Sequence, residues 1–184
     1  MSGVDRVALA MAIVCGFLLA EQRLSRGNER RLRAAGAIEP PGDPYRALAV
    51  LYPLAFLLMG VEGAWRARGA VVVPGAGGPS WAAAGAVLFL ASKVLKYWAI
   101  GALGGRWSFR VLVQPERPLV TSGPYRYVAH PNYIAVVGEL VGTAMMVTAI
   151  VMGPLMTGVF GVVLWKRLQF EERVLGRFRR GEKS

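Results

Sequence analysis

Long apolar runs separated by basic segments constrain this chain more than any other feature of its sequence. Several of the runs approach the ~20 residues that an α-helix needs to cross a bilayer. The chain has 184 residues, 54% of them hydrophobic, and a single domain is the default at this length. The sequence therefore predicts one all-α integral membrane domain, 1–184. Its five predicted transmembrane spans cover residues 4–20, 47–65, 81–103, 132–151 and 155–172.

The placement of the basic residues supports a membrane topology. The formal net charge is +11, which in a soluble protein would suggest nucleic-acid binding. Here the Lys and Arg residues cluster between apolar runs, so we expect contact with a lipid bilayer and no nucleic-acid partner. Seventeen Lys and Arg residues lie in the first loop, the loop between spans 3 and 4, and the C-terminal tail, which five spans place on one face of the membrane. Three lie in the segments on the opposite face. The positive-inside rule then predicts an external N-terminus and a cytosolic C-terminus, with the loop between spans 3 and 4 also cytosolic.

Three charged residues, Lys93, Lys96 and Glu139, lie within predicted spans 3 and 4. Charges in a bilayer are costly, so they usually face a cavity or a partner. Lys93 and Glu139 lie at similar depth, which makes a pair across spans 3 and 4 geometrically feasible; for Lys96 the alternative is snorkelling to the interface. Gly138 and Gly142 form a small-xxx-small pair, which predicts close approach of span 4 to span 3 or span 5.

Polar chemistry concentrates in residues 114–133, which read Gln-Pro-Glu-Arg-Pro-Leu-Val-Thr-Ser-Gly-Pro-Tyr-Arg-Tyr-Val-Ala-His-Pro-Asn-Tyr. Pro131 suits the first turn of span 4, which places His130 and Asn132 at a helix N-terminus. Free backbone N–H groups at such a terminus attract electron-rich ligand atoms. At the far end of span 5, Arg167 and Glu171 are four residues apart and therefore share a helix face.

Several common site types find no support in the sequence. No Gly-rich dinucleotide fingerprint follows a strand, and no phosphate-binding loop is present. A metal site is not expected, because the chain has one His and one Cys. No Ser-His-Asp arrangement is evident, so hydrolase chemistry is disfavoured as well. Cys15, alone in the first apolar run, is expected to be a small buried hydrophobe.

Residues 119–133, Leu-Val-Thr-Ser-Gly-Pro-Tyr-Arg-Tyr-Val-Ala-His-Pro-Asn-Tyr, followed by Arg167-x-x-x-Glu171-Glu172-x-x-Leu175, resemble the isoprenylcysteine carboxyl methyltransferase family. The resemblance covers roughly residues 96–175, and the N-terminal half looks more like the family's bacterial branch, some of whose members are associated with O-methylation of lipidic phenols. Two departures concern the acceptor. The family usually has Arg before the His-Pro pair, where this chain has Ala129, and it often continues past the Glu pair with Phe-Gly and two tyrosines, which are absent here.

The resemblance implies an integral membrane enzyme that uses S-adenosylmethionine without a Rossmann domain. Its pocket would face the cytosol, between the loop joining helices 3 and 4 and the C-terminal helix. Arg167 would orient the acceptor, a carboxylate (prenylcysteine-like) or a phenolic hydroxyl on a lipophilic or prenylated molecule. The cofactor site would be formed by Gln114, Arg117, Pro118, Leu119, Val120, Tyr125, His130, Pro131, Asn132, Tyr133 and Glu171.

Two other functions remain open at this point. One is an NADPH-dependent membrane reductase of the steroid 5α-reductase type, whose members share a His-Pro-Asn-Tyr-like motif. The spacing of Arg167 and Glu171 favours the methyltransferase. The other is a non-catalytic membrane protein, although few charges lie inside the spans and no inverted repeat is visible. For the enzyme we expect a multi-pass protein of the bacterial inner membrane.

Overall fold

Five α-helices make up the fold, and they correspond to the five apolar runs. The computed structural model describes residues 2–69, 77–114 and 118–179. No β-strand forms in these ranges; Ile38 and Val113 make an isolated antiparallel bridge. The connector between α3 and α4 contains two short 3-10 turns, Gly104–Arg106 and Gly123–Arg126. The helices are α1 Gly3–Ala34, α2 Tyr45–Ala67, α3 Pro79–Leu103, α4 Pro131–Val147 and α5 Met152–Arg179.

Three of these helices are long and apolar enough to cross a membrane. They are α1, α2 and α3, the last counted together with the turn that follows it. Helix α4 is apolar but has 17 residues, which gives a length of about 25 Å at the α-helical rise. Helix α5 has 28 residues, apolar in its first half and charged in its second. The all-helical prediction is confirmed, and the full count of five spans stays a prediction.

Helix α1 continues well beyond Ala20, the predicted end of span 1. The segment from Glu21 was expected to be a loop, but it is helical as far as Ala34. Its Arg, Glu and Leu residues are strong helix formers and no proline interrupts them, so the charge of the segment does not prevent a helix. The chain turns at Gly36, whose φ of 78° suits glycine just past a helix end.

One stripe of α1 packs against the rest of the protein. Val7, Val14, Glu21 and Asn28 recur every seventh residue and are all buried, which is the spacing of a helix seam. The stripe runs through both the apolar part of α1 and its charged extension. Cys15 lies beside this stripe and is exposed, so its predicted burial is wrong.

The turn between α4 and α5 comes earlier than predicted. It was expected at Gly153-Pro154, but α4 ends at Val147 and Thr148 adopts a left-handed conformation with φ 59°. Pro154 instead lies in the first turn of α5, which begins at Met152. A proline is tolerated there because its missing N–H would have no helical partner.

Close packing of α4 on α3 confirms the prediction from the small-residue pair. A Cβ atom added to Gly138 would lie 2.2 Å from the Ser92 hydroxyl oxygen, and one on Gly142 would lie 2.7 Å from the backbone nitrogen of Phe89. Neither separation is sterically possible. The Ser92 hydroxyl could rotate away from a Cβ at Gly138, but the Phe89 backbone cannot move away from one at Gly142, so the close approach of the two helices depends on glycine at position 142.

A buried group of four charges, here named the ion cluster, joins α1, α3 and α4. Lys93 Nζ lies 2.6 Å from Glu21 Oε1 and 2.9 Å from Glu139 Oε2. Lys96 Nζ lies 2.6 Å from Glu21 Oε2 and 3.3 Å from Glu139 Oε1. The Tyr52 hydroxyl of α2 donates to Glu139. The Lys93–Glu139 pair is therefore confirmed, whereas snorkelling of Lys96 is wrong because its side chain is 0% exposed.

Candidate functional site

An open cavity of about 670 Å³ is lined mainly by the α3–α4 connector, the start of α4 and the charged half of α5. Its volume lies within the ~300–1,000 Å³ range of small-molecule sites. Among the described residues, every predicted site residue except Pro131 lines it. Those lining residues are Gln114, Pro118, Leu119, Val120, Tyr125, His130, Asn132, Tyr133, Arg167 and Glu171.

Two predicted residues stand apart from this set. Pro131 is buried at the first position of α4, as the sequence predicts, and it contributes no cavity wall. Its fixed φ sets the direction in which α4 leaves the connector, between the two lining residues His130 and Asn132. Arg117 lies outside the described residues.

Glu171 is the centre of the polar contacts in the cavity. The Tyr133 hydroxyl donates to its Oε1 atom, and Arg167 Nε donates to the same oxygen at 3.1 Å. The His130 ring stacks on Tyr133, with 5.4 Å between ring centroids and 4° between planes. His130 Nδ1 lies 3.8 Å from the second carboxylate oxygen, Oε2, which accepts no hydrogen bond among the described residues.

Two buried oxygens of residues that line the cavity have no hydrogen-bond partner within the described part of the chain. They are Gln114 Oε1 and Asn132 Oδ1. Buried polar atoms in folded proteins are nearly always satisfied, so an exception at a cavity indicates a place for a ligand donor. Together with Glu171 Oε2, these oxygens form a set of acceptors that suits a ligand rich in N–H and O–H groups.

Tyr125 contributes a donor rather than a base. Its burial, and secondly the nearby Glu171 carboxylate, raise the pKa of this phenol to about 12. At neutral pH the phenol therefore keeps its proton. The pair Tyr125 and Glu171 thus combines a fixed donor with a fixed acceptor on neighbouring walls of the cavity.

The connector between α1 and α2 completes the site, which the sequence alone did not indicate. Asp43 Oδ2 accepts a hydrogen bond from the Val111 N–H at 3.1 Å, and Asp43 Oδ1 lies 3.9 Å from Arg167 Nε. Arg167 Nη2 in turn donates to the Phe109 carbonyl at 2.5 Å. The only available signal was an acidic residue inside the Pro-Pro-Gly-Asp-Pro stretch, which indicated a helix stop and nothing more.

The charged extension of α1 also supports the cavity wall. Asn28 Nδ2 donates to the Trp107 carbonyl at 2.9 Å, and the Ser25 hydroxyl accepts from the Phe109 N–H at 2.8 Å. Both side chains lie on the buried stripe of α1, one and two turns past Glu21 of the ion cluster. A recurring polar position on that face was the signal that could have revealed this role.

Ala129 lines the cavity as well. The family pattern has arginine at this position, so the cavity is wider and less basic here than that pattern implies. Nothing in the structure explains the replacement.

Similarity to known proteins indicates a family for this chain. A profile of the isoprenylcysteine carboxyl methyltransferase (ICMT) family matches residues 85–177, from α3 into α5. The uncharacterized protein YpbQ of Bacillus subtilis (strain 168) is 30% identical over 167 residues, which is 91% of this chain and 95% of that protein. No solved structure gives a significant match.

Two rice proteins carry a functional name. The probable protein-S-isoprenylcysteine O-methyltransferases of Oryza sativa subsp. indica and subsp. japonica are each 31% identical over 100 residues, or 51% of this chain. The chain spans about half the length of these two relatives, since the match covers 50% of each. The profile match and the near full-length similarity to the Bacillus protein agree with the motifs that line the cavity. The chain belongs to the isoprenylcysteine carboxyl methyltransferase family.

Proposed function

We propose that this protein is a membrane methyltransferase that uses S-adenosylmethionine and modifies an oxygen of a lipophilic acceptor. The observation that carries the proposal is the cavity lined by three acceptor oxygens that have no hydrogen-bond donor among the described residues, Gln114 Oε1, Asn132 Oδ1 and Glu171 Oε2. Family membership supplies the reaction class. When bound, S-adenosylmethionine supplies a methyl group activated by a positively charged sulfur.

The residues of the cavity fit the polar groups of this cofactor. Its ribose, ammonium and adenine groups are hydrogen-bond donors, and the cavity offers the oxygens of Gln114 and Asn132, which have no donor among the described residues, and the carboxylate of Glu171. Two carboxylates, Asp43 and Glu171, flank Arg167, so this part of the wall has more negative than positive charge. Such a wall favours a cationic donor. We assign the remaining lining residues from the predicted set to the same binding role.

Arg167 is proposed to orient the acceptor. Its guanidinium is held on three sides, by Glu171, by the Phe109 carbonyl and by Asp43, and its side chain is 9% exposed. A side chain fixed in this way can hold a reacting group in one geometry, which is where much of the rate of a group-transfer enzyme arises. The acceptor's reactive group would be a carboxylate or a phenolic hydroxyl.

The proposed setting is the inner membrane of a bacterium. All five helices would span the bilayer as one domain, with the N-terminus outside and the C-terminus in the cytosol. Seventeen basic residues would then lie on the cytosolic face and three on the other. The cavity would open at that face, where a water-soluble cofactor and a lipophilic or prenylated acceptor can both arrive. The name of the rice relatives indicates a prenylated acceptor for those proteins.

Transfer of a labelled methyl group tests the proposal. Membranes containing the protein are incubated with methyl-labelled S-adenosylmethionine and a total lipid extract, and the labelled products are identified by mass spectrometry. We expect label in a lipophilic ester or ether, lost with Glu171→Ala and kept with Glu172→Ala, whose side chain is 63% exposed and lines no cavity. Consumption of NADPH with no methyl transfer would instead favour a reductase.

A further inference from the structure

Two of the three arginines that line the cavity have their charge compensated by the protein. Arg110 Nη1 lies 2.5 Å from Glu39, its Nε lies 3.5 Å from Glu29, and its guanidinium stacks over Tyr45 at 4.4 Å. A cation with two carboxylates and an aromatic face is a structural element. Arg110 holds the connector between α1 and α2 against the cavity wall, and few of its hydrogen-bond donors remain free for a ligand.

Arg167 is compensated more strongly. Two carboxylates, Glu171 and Asp43, lie 3.1 and 3.9 Å from its Nε atom. One guanidinium between two carboxylates leaves this part of the cavity with a formal charge of −1. That environment attracts the cationic donor but gives little net attraction to an anion, so a negatively charged acceptor that Arg167 orients needs a second positive group to bind.

Arg106 has no such compensation. Within residues 2–69, 77–114 and 118–179 it forms no ion pair, and its one side-chain hydrogen bond runs from Nη1 to the Pro118 carbonyl at 2.8 Å. Four of the five guanidinium N–H groups therefore have no acceptor among the residues that the structure describes. The side chain lines the cavity, so this positive charge faces the space in which a ligand would lie.

The surroundings of Arg106 are apolar. Arg106 is the last residue of the 3-10 turn that follows α3. Leu103, the last residue of α3, also lines the cavity. The carbonyl that Arg106 binds belongs to Pro118, and the adjoining Leu119 is a cavity residue with 43% of its surface exposed. A cation beside exposed aliphatic side chains suits an amphiphile with an anionic head and an apolar body.

We propose that Arg106 binds the anionic head of the acceptor, and that the acceptor is a lipophilic molecule whose reactive oxygen is already ionised at neutral pH. This inference rests on the proposed function. A guanidinium binds an oxyanion with two parallel hydrogen bonds, which both holds it and fixes its direction. An acceptor that arrives as an anion needs no general base, and Tyr125, a phenol that lines the same cavity, stays protonated at neutral pH.

The same contact distinguishes acceptor from product. Methylation would form an O–CH3 bond at the acceptor oxygen while the S–CH3 bond of the donor breaks and the donor leaves as a neutral thioether. The resulting ester or ether would carry no charge and would lose its charge-assisted bond to Arg106. The product then binds more weakly than the acceptor, which favours its release into the lipid phase. An acid should consequently bind to the resting protein more tightly than its own methyl ester.

A binding experiment without catalysis tests this proposal. The probes are dansylated undecanoic acid and its methyl ester, titrated by fluorescence into the purified full-length protein in a neutral detergent. We expect the acid to bind at least tenfold more tightly than the ester. Arg106→Gln should abolish the preference, Arg106→Lys should keep part of it, and Arg126→Gln, which removes an exposed cation of the same connector, should leave it intact.

Three results would overturn the role of Arg106. Equal affinity of the wild-type protein for acid and ester is one, a preference that survives Arg106→Gln is the second, and a preference lost equally in the Lys and Gln variants is the third. The affinity for S-adenosylmethionine, measured on the same samples, should be unchanged in Arg106→Gln and confirms that the variant is folded. Failure of the proposed function would look different, because the acid preference would persist while S-adenosylmethionine failed to bind.

Discussion

Removing one cation from the ion cluster should cost the protein a large part of its stability. Lys96 is 0% exposed, with Nζ 2.6 Å from Glu21 and 3.3 Å from Glu139. At an effective dielectric constant of about 20, the shorter contact alone corresponds to roughly 6 kcal/mol of gross attraction, which desolvation offsets in part. Lys96→Met leaves two buried carboxylates against the single cation Lys93. We expect a loss of about 3–5 kcal/mol in the free energy of unfolding.

The measurement is unfolding by titration with dodecyl sulfate in mixed micelles, followed by circular dichroism. Lys166→Met is the matched control, because Lys166 is exposed and its loss should change stability by less than about 0.5 kcal/mol. Glu21→Gln combined with Lys96→Met restores charge balance, so the double variant should be less destabilised than the sum of the single variants by about 0.5–3 kcal/mol. A loss under about 1 kcal/mol for Lys96→Met, typical of exposed pairs, or strict additivity in the cycle, would refute a closed and buried cluster.

Three further predictions concern the cavity. Glu171→Ala should weaken S-adenosylmethionine binding at least tenfold, roughly 1.4 kcal/mol, by calorimetry, while Glu172→Ala binds as the wild type does; unchanged affinity would remove Glu171 from the site. Arg167→Ala should reduce acceptor turnover more than cofactor affinity, and an equal loss of both would reject its assigned role. Asp43→Asn should lower kcat by about tenfold at unchanged cofactor affinity, because the carboxylate that fixes Arg167 and Val111 N–H is gone; a wild-type kcat would show that the connector is passive.

Hydropathy and side-chain chemistry made much of the helical architecture readable from sequence. Apolar runs of near-spanning length predicted the five helices, since a chain in lipid must satisfy its backbone within each segment. Gly138 and Gly142 predicted the close approach of α4 that the structure has with α3. Lys93 and Glu139 predicted a pair because isolated charges in a bilayer are costly.

Other features could not be predicted from the sequence because they depend on tertiary context. Glu21 was placed in a loop, since its segment is strongly charged, although that segment has high helix propensity and continues α1 to Ala34. Its partnership with Lys96 joins helices that are distant in sequence. The turn at Thr148 was missed because a left-handed threonine has no reliable sequence signal, and Gly153-Pro154 offered a stronger one.

The candidate site was predictable in one half only. The connector residues and Glu171 carry motifs, so a resemblance could name them before any coordinates were known. The other wall depends on pairing between segments that share no motif, such as the bridge of Ile38 with Val113 and the contact of Asp43 with Arg167. Neither residue type nor spacing predicts these contacts, because the whole fold determines which segments distant in sequence come together.

The proposed binding site of the adenosyl cofactor is the cavity beside Glu171, at the membrane surface. Calorimetric titration of the purified protein with S-adenosylmethionine, and separately with NADPH, tests it most directly. We predict saturable binding of one S-adenosylmethionine per chain and no binding of NADPH. Binding of NADPH in place of S-adenosylmethionine, or of neither, would contradict the account.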